Sequence, residues 1–143
     1  MYEQHGTHKL TCDGDVLIMH GRGPWNEQAI RNYRLDLEKA IVNMPPRWAF
    51  IAEFHGEAIL IPEAERELES VVAWRKTKGM EAMAIVMSDV TAKGVAFAQL
   101  ERIYKRAGAA FRAFDNEADA LDWLASEGFR TASRGAGSEP GND

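Results

Sequence analysis

A single cysteine, Cys12, stands in 143 residues. One thiol cannot close an intrachain disulfide, so scaffolds held by cystine cross-links are excluded and a reducing compartment, the cytoplasm, is expected. Long apolar runs are missing as well. None approaches the roughly 18–20 residues of a membrane-spanning helix, so no integral membrane segment is expected. The polar opening Met1-Tyr2-Glu3-Gln4-His5 does not read as a secretion signal. Positive charge is also scarce: 17 Lys and Arg face 22 Asp and Glu, a net charge of −5. That balance argues against nucleic acid as a partner, because a general binder of phosphate backbones needs a basic domain or stripe. What remains is ordinary for one globular domain, with 45% hydrophobic and 27% charged residues.

The apolar pattern sets the order of elements. Thr7 to Cys12 and Val16 to Met19 flank Asp13-Gly14-Asp15, a glycine-centred turn, and read as a β-hairpin. Ile30, Tyr33, Leu37, Ala40, Ile41 and Met44 then recur at steps of three and four, the signature of one helix face. Asn26 suits the N-cap of that helix, Trp25 can staple onto Ile30, and Pro45-Pro46 ends it. Trp48 to Phe54 reads as a central strand, while 57–61 fits either a loop or a short edge strand. Pro62 opens a second helix whose inward face is Ala64, Leu68, Val71 and Val72. A strand at Met83 to Met87, a helix over Ala92 to Ala107 and a strand at Ala109 to Phe114 follow. Asp115 or Asn116 caps a last helix carrying Leu121 and Leu124. Residues 131–143 are Gly, Ser and Pro without apolar periodicity, so a flexible tail is expected there and the domain is placed at 1–130.

The resulting order, β-β-α-β-α-β-α-β-α, predicts the α/β class. An antiparallel hairpin followed by alternating elements implies a mixed, mostly parallel five-stranded sheet with right-handed crossovers.

Four stretches carry a family likeness. They are Gly23-Pro24-Trp25-Asn26-Glu27 opening the long helix, the strand begun by Trp48, Pro62-Glu63-Ala64 opening the next helix, and Phe114-Asp115-Asn116-Glu117-Ala118 running on through Ala120 to Trp123 and Leu124. In that order the chain resembles the small bacterial SpoIIAA-like, or STAS-like, proteins, related in fold to CRAL-TRIO lipid-binding domains. The resemblance covers about Thr7 to Ser126. It implies helices mainly on one face of the sheet and names no reaction. Anti-sigma-factor antagonists of this fold carry a phosphorylatable Ser or Thr at the start of the helix after the third strand. Here His55 to Glu63 contains neither, so the phospho-switch does not carry over.

Chemistry-bearing residues are few. His20, His55, Ser88 and Asp89 fall at strand ends, where parallel sheets bind ligands, but no G-x-S-x-G surrounds Ser88. A Ser/His hydrolase is therefore the weakest of three readings. His5 and His8 sit at the chain start, and no H-x-x-x-H or C-x-x-C spacing occurs, so neither a metal site nor a cofactor is expected. Arg102, Lys105 and Arg106 form a basic cluster that either meets an anionic partner or simply complements a helix C-terminus. The leading expectation is a non-enzymatic regulatory or protein-interaction module, with a binder of a small apolar or lipid-like ligand as the alternative. The pattern leaves open a pairing of two copies as a homodimer. Recognition is expected around Trp25, Asn26, His55 and Glu57, where the first helix begins and the third strand ends.

Overall fold

The computed structural model describes residues 6–132. The hairpin is β1 (Thr7–Asp13) and β2 (Val16–Arg22), followed by α1 (Glu27–Ala40), which tightens into a 3-10 turn at Ile41–Asn43 before the two prolines. Then come β3 (Trp48–Gly56), α2 (Pro62–Thr77), β4 (Met80–Val90), α3 (Lys93–Arg106), β5 (Arg112–Phe114) and α4 (Glu117–Ser126). The five strands lie in the sheet in chain order, β1 antiparallel to β2 and all later neighbours parallel.

Strand order without reversal decides the layering. Each crossover steps in the same direction, and crossovers of one hand then leave their helices on one face. Accordingly α1, α2 and α3 cover a front face. There Leu17, Met19, Phe50, Phe54, Met83 and Ile85 pack on Ile30, Tyr33, Leu37, Leu68, Val71, Leu100 and Ile103. α4 alone lies on the rear, where Ala120 and Leu124, with Phe129, cover Val16, Ile18, Ala49, Ile51, Ala84 and Val86.

Local chemistry fixes the boundaries. Asn26 Oδ1 accepts from the Ala29 N–H at 2.8 Å, the N-cap expected from sequence. β4 is longer than its apolar centre suggests, at 11 residues, and β5 is shorter, at three. The stretch 57–61 is not an edge hairpin. Leu60 makes one parallel bridge to Trp25, and the buried Gln99 side chain acts as its other partner, with Nε2 donating to Leu60 O and Oε1 accepting from Leu60 N, both at 2.8 Å.

The packed chain also passes the expected boundary at 130. Arg130 O accepts from Asp15 N at 2.8 Å, Thr131 is buried, and Ala132 N donates to Asp13 Oδ1 at 2.8 Å. The rest of the expected tail, 133–143, lies outside the described residues, as does His5. Among the described residues no helix is long and apolar enough to cross a membrane.

Leu37 is fully buried at the centre of the α1 face. Leu37→Ala is expected to cost about 2–5 kcal/mol in chemical denaturation, the usual range for a core leucine truncation. A loss below about half a kilocalorie would show that the front core closes over the gap without strain.

Candidate functional site

Side chains alternate between the faces of a strand, so parity and register decide which residues meet. On the rear face the register aligns Val16 with Ala49 and Ala82, then Ile18 with Ile51 and Ala84. These apolar rows lie in the α4 core. The next row is His20, Glu53 and Val86, and the last is Arg22, His55 and Asp89. Aliphatic thus gives way to ionisable along the same face. Asp89 reaches its row through a β-bulge: Met87 and Ser88 both stand opposite Phe54, and this extra residue returns Asp89 to the rear side.

The groups interlock. His20 Nε2 lies 2.8 Å from Glu117 Oε1, on the first residue of α4, and 3.2 Å from Glu53 Oε1. Glu53 Oε2 lies 3.3 Å from His55 Nε2, and His55 Nδ1 lies 2.7 Å from Asp89 Oδ1. Asp89 Oδ2 closes the row with Arg22 Nη2 at 3.5 Å. The two imidazoles meet edge to face, with centroids 6.2 Å apart. Carboxylate and imidazole alternate from Glu117 to Asp89.

Burial divides the acids. Glu53 is the inner one, and burial pushes its carboxyl above the usual range, as does the neighbouring Glu117 carboxyl, while the imidazoles pull the other way and lose. Its Oε1 is buried and accepts no directed hydrogen bond, because the one N–H at His20 Nε2 can point along the shorter line to Glu117. Asp89, at the exposed end, is held below the usual carboxylate range, chiefly by its hydrogen bond with His55 and further by the Arg22 charge. The row can therefore accept or release protons, bind a cation between its carboxylates, or offer paired donors and acceptors to a polar surface.

The segments expected to form the site adjoin through their backbones, Gly23 N donating to His55 O at 3.4 Å and Trp25 bridging Leu60, but the four side chains part. His55 does belong to the rear row. Trp25 instead sits buried in the front core, and Asn26 is occupied as the α1 cap. Glu57 is exposed in the turn after β3, where its carbonyl approaches Gly23 so closely that a Cβ there would lie 1.8 Å from it. Of the hydrolase set, His20, His55 and Asp89 converge, whereas Ser88 makes no hydrogen bond to either imidazole. The basic cluster is largely paired within the chain, although its side chains stay exposed. Arg102 and Arg106 reach Glu65 of α2 at 3.2 and 3.1 Å, leaving Lys105 exposed. Glu53 and Glu117 went unread in the sequence. The visible signal was one acid in the otherwise apolar Trp48-Ala49-Phe50-Ile51-Ala52-Glu53-Phe54. Motif spacing found no metal ligands because the donors come from β2, β3 and α4 rather than from one element.

No family model matches the chain, and no curated protein matches it.

Glu65 accepts from Gln99 Nε2 at 2.9 Å as well as from both arginines, and so joins α2 to α3. Burial alone would raise its carboxyl, but the Arg102 and Gln99 hydrogen bonds and the two guanidinium charges outweigh it and hold the group below the usual range. A carboxyl lowered by folding contributes stability above its unfolded value, about 4.3, and loses it as pH falls through the folded one. Glu65→Gln is therefore expected to cost about 1–3 kcal/mol in urea unfolding at pH 7, and the gap to the parent should narrow steadily below pH 4. An equal gap at pH 7 and pH 3 would show that charge plays no part.

Proposed function

We propose that the chain is a non-enzymatic regulatory or protein-interaction module, STAS-like in kind, that meets a partner through the uncovered carboxyl half of its rear sheet face. One observation carries this reading. Five ionisable side chains, His20, Arg22, Glu53, His55 and Asp89, gather in two adjacent rows there, at the first turn of α4, and they hold one another in fixed geometry. Such a surface offers direction-specific donors and acceptors, the type of contact that fixes register between proteins. A polar partner segment suits it, because Arg22 and Lys9 flank one side while Glu53, Glu117 and Asp89 define the other. The absence of Ser and Thr from His55 to Glu63 supports regulation by something other than phosphorylation of that turn.

The alternative of an apolar or lipid-like ligand has less support. The apolar cavity between Trp25, Tyr33, Phe54 and Leu68 measures about 20 Å³, room for about one water. A larger groove of about 550 Å³ beside Phe97 and Phe114 is open, and Lys93, Asp115 and Asp119 line it too. The hydrolase reading lacks a nucleophile in contact with a base, since Ser88 stands apart from both imidazoles.

A photo-reactive side chain placed at position 22 in cells should cross-link one specific protein, and the same group at position 105 should not. Adding His55→Ala or Asp89→Ala, the neighbours of position 22 in the same row, should weaken recovery of that protein while leaving the melting temperature within a few degrees of the parent. Cross-linking from position 105 alone would move the interface to the surface of α3.

A further inference from the structure

We infer that His20, Glu53 and Glu117 form a binding site for one divalent transition-metal ion of the zinc type, an assignment that rests on the preceding reading only in lying on the same face. The first argument is the donor geometry. One imidazole nitrogen and two carboxylate oxygens, each from a different element, all lie within 4.8 Å of one another. Zinc bonds of about 2.0–2.2 Å at tetrahedral angles place neighbouring donors roughly 3.4 Å apart. His20 Nε2 stands 2.8 and 3.2 Å from its two oxygens, so on these two edges the donors lie within about 0.6 Å of that spacing, and the third edge is under 4.8 Å.

The second argument is independent of the first. Glu53 Oε1 is a buried oxygen with no hydrogen-bond donor, turned toward His20 and Glu117. Leaving such an atom unpaired is costly, and a shared cation satisfies it while relieving the repulsion between the two carboxylates.

A third comes from the surroundings of the donors. Metal-binding side chains are held by outer partners that fix their orientation. Glu53 Oε2 is held by His55 Nε2, His55 Nδ1 is held by Asp89, and Asp89 is held by Arg22. Three donors on a partly open surface, with the His20 side chain 43% exposed, leave a coordination position for water or for a donor from a partner. An imidazole beside two carboxylates suits Zn²⁺, Mn²⁺ or Fe²⁺ better than Ca²⁺ and Mg²⁺, which favour all-oxygen sets, and the lack of a thiolate argues against Cu⁺. Because Glu117 begins α4, the ion would pin the last helix to β2 and β3.

The test is titration of the full, chelator-treated chain with Zn²⁺, followed by calorimetry and thermal melting. The parent should bind one equivalent and melt several degrees higher with it, whereas Mg²⁺ at the same concentration should do neither. His20→Gln and Glu117→Gln should each abolish the shift while keeping the parent's far-UV spectrum. His55→Ala, which removes only the outer support, should weaken Zn²⁺ binding about 10–100-fold. His8→Gln, remote from the cluster, should bind as the parent does. The inference is overturned if the parent takes up no stoichiometric Zn²⁺, if His20→Gln binds it equally well, or if His8→Gln is the variant that loses it. Cross-linking from position 22 reports on the partner separately. If it persists when Zn²⁺ does not bind, the metal site falls and the recognition face stands. If Zn²⁺ binds and no cross-link forms, the reverse holds.

Discussion

The strand order that never turns back is the constraint from which the rest follows. Three parallel crossovers stepping in one direction put α1, α2 and α3 together on the front and leave the rear to α4. That helix has 10 residues, about 15 Å at 1.5 Å per residue. β3 has nine residues, about 30 Å at strand rise. One short helix cannot cover the length of the strands it crosses, so part of the sheet faces water however well the front is packed. The residues follow that geometry: Ile18, Ile51 and Ala84 lie under α4, and one row later the face carries His20 and Glu53. The same order also removes the topological switch point, the crevice where an open parallel sheet usually holds a small ligand.

The front layer is closed by the same logic. Its large side chains meet three helices at once, and the apolar cavity between Trp25, Tyr33, Phe54 and Leu68 is near the volume of a single water. Into this core the chain places a charge. Arg75 is 1% exposed, donates from Nη1 to Tyr33 Oη at 2.7 Å, and stacks over the Phe50 ring with Cζ 4.0 Å from its centre. A guanidinium without a carboxylate partner is expensive to bury, and the phenol and ring contacts offset only part of that cost. From α2 its guanidinium reaches Tyr33 of α1, Phe50 of β3, Met83 of β4 and Tyr104 of α3, so the three helices of the front layer are tied through one side chain. A layer joined in this way has little freedom to open for a lipid.

Much of this was legible in the residues, and what was not has physical causes. The α1 face from Ile30 to Leu37, the Asn26 cap and the Pro62 start follow from local rules, and local rules held there. β4 outran its expected length because Ser88 and Asp89, polar at a strand end, look like turn residues when the pairing of the neighbouring strand is unknown. Stretch 57–61 was ambiguous because its partner is a glutamine side chain from α3, a contact no local pattern encodes. The contacts past residue 130 were not legible because Arg130 and Ala132 dock through their backbone N–H groups onto the Asp15 and Asp13 carboxylates rather than by apolar side chains. The site was hidden for a related reason. Trp25 and Asn26 look functional by type yet are consumed by packing and capping. Glu53 and Glu117 acquire meaning only once register and the path of α4 set them beside His20.

The rear row and the seat of α4 are one structural problem rather than two. α4 seats on the sheet through Ala120 and Leu124, with Leu121 and Trp123 packed beside them, Trp123 against the Phe114 ring of β5, and Phe129 closing the far end. All of these apolar groups lie from the fourth residue of the helix onward, so the first turn is positioned by its polar contact. That contact is Glu117 with His20, and Glu117 is placed for it by the Asn116 cap, whose Oδ1 accepts from Asp119 N at 2.8 Å. Whatever changes the charge around His20 therefore acts on the docking of α4 as well as on the exposed face. Conversely, any shift of α4 removes one carboxylate from the row and leaves Glu53 facing His20 and His55 alone. The site sits at the edge of the apolar contact between α4 and the sheet, and its electrostatics are part of what holds the first turn of the last helix in place.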